Sequence, residues 1–276
     1  MSRCAATVLA PLMAALTLSL AVAERADAEG PFPDANLDAA VRKALKQGPD
    51  AELTDETLRN LYILEAPDRE IADLTGLDRC PNLALINLKN NAVTDLAPLS
   101  GLANLQSLDL SENEITSIEA LKGLEKLQYL ELSNNAVESI EPLAGLVNLR
   151  SLYLSENEIK EIGALAELTK LSSLYLDGNA IADLAPLEKV TRVSTLDLRG
   201  NQIENLAPLT SQTDVRMLFL EGNPISSLEP LIGWAKTDAE GSKRFAPYLE
   251  LYLGGLEVPE EQVAQLKEAG VRVHQG

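Results

Sequence analysis

The sequence predicts a curved α/β solenoid, with a parallel β-sheet along its concave side, a 3₁₀ or extended chain returning along its convex side, and capped ends. Three observations predict it. A 22-residue phrase recurs eight times, without insertion, from residue 61 to residue 236. Within each copy the apolar spacing switches from every second residue to every third. The segments on either side carry the helix and strand patterns that a stack of repeats needs at its ends.

The copies begin at Leu61, Leu83, Leu105, Leu127, Leu149, Leu171, Val193 and Val215. In the third copy the recurring apolar positions are Leu105, Leu108, Leu110, Ile115, Ile118, Leu121 and Leu124. Alternation across Leu108, Asp109 and Leu110 makes a short strand with one face inward. The spacing from Ile115 onward suits a 3₁₀ return, in which residues three apart share a face. One copy cannot bury that many large side chains alone, whereas stacked copies share a continuous core. The ninth position carries Asn91, Asn113, Asn135, Asn157, Asn179, Asn201 and Asn223, with Arg69 in the first copy. A carboxamide both donates and accepts, so a buried row of them is expected to satisfy backbone groups where the chain leaves each strand. Pro98, Pro142, Pro186, Pro208 and Pro230, at the sixteenth position, fix the return path.

This L-x-x-L-x-L-x-x-N-x-I phrase resembles the leucine-rich repeat family. Its 22-residue length and its I-x-x-L-x-x-L-x-x-L second half are similar to the bacterial internalin-type subclass. The resemblance covers almost two thirds of the chain. It implies a non-catalytic role in which the concave sheet holds another macromolecule, and it leaves the partner's identity open.

Residues 31–60 read as a helical N-terminal cap. Asp34 opens a pattern with Leu37, Val41 and Leu45 on one face and Gly48 beyond it, and Leu53 and Leu58 lead into the first strand. Residues 237–276 read as a C-terminal cap. Trp234 stands where most copies have Leu, and a loop is expected near Asp238 to Lys243. Tyr248, Leu251 and Leu253 then imitate one more strand. Pro259 to Ala269 reads as a helix closed by Gly270, with Val271 and Val273 in a final strand. The mature chain is expected to be one structural domain and a monomer.

Residues 1–23 read as a signal peptide, with Arg3 as its positive start and Ala5 to Val22 almost wholly apolar. Cleavage is expected after Ala23, with a second Ala-x-Ala site ending at Ala28; retention as an uncleaved anchor is the competing reading. Cleavage removes Cys4, leaves Cys80 without an intramolecular partner, and implies a secreted or periplasmic protein with no membrane contact of its own.

The formal net charge is -19, which excludes nucleic acid as a natural ligand and favours a protein partner with a basic or mixed basic and apolar surface. The residues that metal and nucleophilic chemistry use are few. His274 is the one histidine and reads as a solvated tail residue; Cys80 falls on a core position. No cofactor motif is present. The expectation is a protein without catalytic activity.

The binding surface is expected on the strands, where the residues between the inward leucines face solvent. The third position carries Tyr129 and Met217, and the fifth carries Asp109, Glu131, Tyr153, Tyr175, Asp197 and Phe219. The seventh and eighth add Glu112, Glu156, Asp177, Arg199 and Glu221. The partner-binding set is therefore Asp109, Tyr129, Glu131, Tyr153, Tyr175, Asp177, Asp197, Arg199, Met217 and Phe219. Protein binding is the first reading and glycan binding the second, since sugar rings stack on aromatic faces. Eight strands about 4.8 Å apart give a face roughly 34 Å long, enough to supply most of one side of a standard protein interface.

Overall fold

The computed structural model describes residues 30–276; the expected signal segment, with both Ala-x-Ala sites and Cys4, lies outside them. The third to fifth positions of each repeat form the strands β1 (Ile63–Glu65), β2 (Leu85–Asn87), β3 (Ser107–Asp109), β4 (Tyr129–Glu131), β5 (Ser151–Tyr153), β6 (Ser173–Tyr175), β7 (Thr195–Asp197) and β8 (Met217–Phe219). Each pairs with the next in parallel and with equivalent residues in register. Their middle residues point inward and are buried, from Leu64 to Leu218. Two further strands, β9 (Glu250–Tyr252) and β10 (Arg272–His274), complete one ten-stranded sheet in chain order.

The returns are 3₁₀ turns at Leu77–Arg79, Ala97–Leu99, Glu119–Leu121, Glu141–Leu143, Gly163–Glu167, Ala185–Lys189 and Ala207–Ser211. Four of the sixteenth-position prolines lie in these turns, where a fixed φ suits the backbone. All seven apolar positions of the third repeat are 1 % exposed or less. Each buried leucine or isoleucine contributes about 1.5–3 kcal/mol of transfer free energy, and stacking extends that gain along the molecule.

The asparagines tie each repeat to the one before. Asn157 shows the pattern: its Oδ1 accepts from the backbone N–H of Val137, and its Nδ2 donates to the carbonyls of Leu132, Leu154 and Ser155. Asn113, Asn179, Asn201 and Asn223 do the same and are also buried. Asn91 and Asn135 are half-buried and make equivalent bonds. Arg69, in the first repeat, has no earlier repeat to reach, and its own backbone N–H is held by Asn91.

At the N-terminal end, α1 (Ala35–Leu45) buries Leu37 and Val41. Asp34 caps it by accepting from the N–H groups of Asn36 and Leu37, and its other oxygen accepts from Ala72 and Asp73 of the first repeat. One carboxylate thus starts the helix and docks it. The helix stops at Lys46, in the left-handed region at φ 56°, two residues before Gly48. A short helix not expected from the sequence, α2 (Asp55–Leu58), follows under a Thr54 cap. Gly76 adopts φ +99°, and a Cβ there would stand 2.1 Å from the carbonyl oxygen of Pro31. Gly76→Ala is therefore expected to lift the cap, at about 1–3 kcal/mol for backbone strain alone. Amide exchange would show lost protection at Leu37 and Val41 with unchanged protection at Leu152.

The C-terminal end departs from the sequence reading. The eighth repeat returns through an α-helix, α3 (Glu229–Glu240), and this helix runs into the segment expected to be a loop. Trp234 is too large for the leucine column; it packs on Phe245 with ring centroids 4.0 Å apart and donates its indole N–H to the carbonyl of Gln212. Asp238 is 5 % exposed, and its carboxylate accepts from the Ser242 hydroxyl and the N–H groups of Arg244, Phe245 and Ala246. That bonding orders the turn beyond α3. The closing helix α4 (Glu260–Glu268) packs against α3 and β10 and buries Val263 and Leu266.

Candidate functional site

Because each strand contributes one inward residue between two outward ones, the register stacks the outward side chains in rows across the sheet. Tyr153 lies directly beside Tyr175, Glu131 beside Tyr153, and Asp109 beside Glu131. Tyr129, two residues from Glu131 on β4, leans toward the same row. The Tyr153 and Tyr175 rings stack with centroids 4.8 Å apart and planes 19° from parallel, and Tyr129 meets Tyr153 at 5.4 Å and 46°. The three tyrosines form one half-buried aromatic group at the centre of the sheet.

Burial pushes the Tyr129 phenol up, and the Glu131 and Asp109 carboxylates beside it add to the effect. Tyr175 is raised by burial first and then by its neighbour Tyr153. Both phenols stay protonated and available as hydrogen-bond donors. Burial also raises the Glu131 carboxyl, against the opposing bonds from the hydroxyl and backbone N–H of Ser133. Asp177 accepts from the Ser155 hydroxyl at 2.5 Å and remains half-exposed at the exit from β6. Asp109 accepts from both the hydroxyl and the backbone N–H of Ser111, two residues on in its own repeat.

Asp197 is not an exposed acid. It is 1 % exposed, and both carboxylate oxygens are engaged by Arg199, the shortest contact being 2.5 Å. A partner approaching this part of the sheet meets the guanidinium instead. Arg199 also sits 5.3 Å from the centre of the Phe219 ring. Met217 is exposed on the same strand as Phe219.

The fifth-position row does not end at Phe219. Register places Tyr252 of β9 beside Phe219, and His274 of β10 beside Tyr252. The Phe219 and Tyr252 rings stack at 4.4 Å, as do those of Tyr252 and His274. His274 is exposed as expected but is a strand residue in an aromatic column and not part of a free tail, and its ring nitrogen lies 2.7 Å from Glu250. His274 and then Arg272 hold the Glu250 carboxyl below the usual carboxylate range. The signal that pointed to this column was Tyr248, Leu251 and Leu253 repeating the strand phrase; irregular spacing after Phe219 hid the register.

Cys80 is wholly buried, and burial pushes its thiol up to about 12, so it packs as a small apolar residue. Among the described residues no group of three or more histidine, cysteine or acidic side chains is placed to hold a metal ion. Among the same residues no helix is long and apolar enough to cross a membrane.

Comparison with known proteins agrees with this geometry. The family model for leucine-rich repeats in two copies matches residues 103–145 and 147–189. The crystal structure of internalin C2 from Listeria monocytogenes shares 34 % identity, covers 73 % of this chain and 89 % of its own, and superposes with a TM-score of 0.69. A leucine-rich repeat protein of Leptospira interrogans shares 21 % identity over 80 % of this chain and 62 % of its own, also with a TM-score of 0.69. A plant peptide hormone receptor, solved in complex with its peptide, shares 18 % identity over 71 % of this chain and 32 % of its own, with a TM-score of 0.60. No curated protein sequence matches the chain. Proteins built on this fold are typically interaction modules and generally non-catalytic scaffolds. The chain belongs to the leucine-rich repeat family, in its bacterial internalin-type subclass of 22-residue repeats.

Proposed function

We propose that this chain is an exported protein-binding module that holds its partner on the open face of the sheet, around Tyr129, Tyr153 and Tyr175. The observation that carries this reading is the stacked tyrosine group, flanked by Asp109, Glu131 and Asp177. Rings that already stack lose little conformational freedom on binding, and aromatic side chains anchor protein interfaces more often than most. The acids beside them favour a partner with lysine or arginine next to an apolar patch. Arg199, Met217, Phe219, Tyr252 and His274 extend the same face toward the C-terminal end.

Glycan binding is the weaker reading. A sugar ring stacks on an aromatic face, and Tyr153 and Tyr175 turn those faces toward each other, as do Phe219 and Tyr252. What they offer outward is ring edges and phenol hydroxyls, which suits a polypeptide.

The test is affinity capture from envelope and medium fractions with the mature protein beside its Tyr153→Ala/Tyr175→Ala variant, at low and moderate salt. The expected result is a salt-sensitive protein retained by the wild type and lost by the variant, whose urea midpoint stays close to wild type because both rings are half-exposed. Equal retention by both proteins would remove the site from the tyrosine group. Hits on a glycan array without any protein capture would favour the second reading.

A further inference from the structure

The two long edges of the sheet differ in how their cations are paired. In each of the five central strands β4 to β8, one cation stands in the three residues that lead into the strand: Lys126, Arg150, Lys170, Arg192 and Arg216. All five are exposed. Although the chain has 42 acidic residues against 23 basic ones, none of the five forms a salt bridge among the described residues. On the strand-exit side the reverse holds: Lys89 is paired with Glu112 and Arg199 with Asp197.

What holds the entry-side cations is neutral. The Lys126 ammonium donates to the Asn104 carboxamide and Lys170 to that of Asn148, which positions the charges without cancelling them. Arg216 lies 4.8 Å from the centre of the Tyr248 ring, itself 51 % exposed. Lys126 and Arg150 face a hollow of about 350 Å³ that Gln106, Gln128 and Asn148 complete, so its polar side chains are ammonium, guanidinium and amide groups. Such a set of donors fits a carboxylate.

We propose that this strand-entry edge, from Lys126 to Arg216, is a second recognition surface, and that its ligand is an extended acidic polypeptide segment lying across the strands with one carboxylate in the Lys126–Arg150 hollow. One cation per strand, three residues ahead of β4, β6 and β7 and one residue ahead of β5 and β8, gives a staggered row of positive charge across four strand spacings of about 4.8 Å, roughly 19 Å or the length of about six extended residues. A densely charged polyanion fits less well: double-stranded DNA carries a charge about every 1.7 Å, and the charge left over would face the acidic field of the whole protein. The surface is separate from the tyrosine group and does not depend on that assignment.

The test is fluorescence anisotropy of a labelled hexaglutamate peptide at about 0.1 M salt, where screening over about 10 Å leaves local contacts dominant. The wild type is compared with Lys126→Gln/Arg150→Gln/Lys170→Gln and with Lys122→Gln/Lys160→Gln/Lys267→Gln, which removes the same charge from other exposed positions. Loss of three exposed charge pairs predicts a weakening of about tenfold in the first variant, and of less than threefold in the second. Equal weakening in the two variants, or no peptide binding by the wild type, would overturn the proposal. Tighter binding of a sulfated glycan or of single-stranded DNA than of the peptide would overturn the ligand class.

Discussion

Asn157→Ala is expected to destabilise the protein by about 2–4 kcal/mol in urea unfolding. The size follows from which groups lose their only partner. The carbonyl of Leu132 also receives Asn135, and that of Leu154 also receives Asn179, so each keeps one bond. The buried N–H of Val137 has no such reserve; it donates to Asn157 alone. One orphaned donor costs about 1–3 kcal/mol, and three weakened carbonyls and a small void add to it. Asn91→Ala is expected to cost less, because that amide is half-buried and water can replace it. Asn157→Asp separates bonding from shape: one oxygen still accepts from Val137, while the other faces carbonyl oxygens. Those neighbours would raise the new carboxyl in the folded state, so the loss is greatest above its folded pKa and shrinks as pH falls toward the ordinary carboxylate range. A variant no less stable than wild type at pH 7 would show that the asparagine row does not hold the repeats together.

The repeats were legible because each position has one environment, met eight times. An inward leucine or isoleucine stands at the fourth position of all eight copies, and an asparagine with the same contacts stands at the ninth of seven, so pattern and structure coincide. The ends were harder to read for the opposite reason. Nothing repeats around Trp234, whose bulk is accommodated by an α-helix where earlier copies use a 3₁₀ turn. Asp238 looked like a loop residue because short polar side chains usually mark turns; here the carboxylate is buried and collects the turn's donors. The surface was legible by position and not by pairing. Alternation locates Tyr153, Tyr175 and Asp197 on the outward row, but it is the folded sheet that brings the two rings face to face and encloses Asp197 under Arg199. The sequence spacing also broke between Phe219 and Tyr252, so the column ending at His274 emerged only from strand register.

A solenoid transmits little strain between distant repeats, since each contacts only its neighbours. Order at the tyrosine group therefore has to be local, and ring stacking together with the asparagine bonds at the exits of the same strands provides it. Changes at the caps are expected to leave partner binding at the central strands largely intact, provided that unfolding does not propagate inward.

Acid is expected to open this solenoid from its two ends while the middle stays closed. The central ties are carboxamides, which do not titrate, whereas both ends are held by carboxylates. Burial raises the Asp238 carboxyl, but the N–H groups of Ala246, Arg244 and Phe245 and the Ser242 hydroxyl outweigh it and hold the carboxyl below its ordinary value of 3.8. Asp34 follows the same balance, burial being opposed by the N–H groups of Ala72, Leu37, Asp73 and Asn36. A folded pKa below the unfolded one means that each contribution is present above the unfolded value, near pH 4, and is lost as pH falls through the lower folded value. Amide exchange below pH 4 should show Phe245, Ala246, Leu37 and Ala72 losing protection before Val137 and Ile159. Asp238→Ala should reproduce the C-terminal half of that change at pH 7, at about 3–5 kcal/mol, since it strands two buried backbone donors and removes charge-assisted bonds. Its effect should be confined to α3, α4, β9 and β10, because Asp238 makes its bonds only within that cap. Uniform loss of protection along the whole chain, in acid or in the variant, would mean that the caps and repeats unfold as one unit and that the carboxylates are not separate latches.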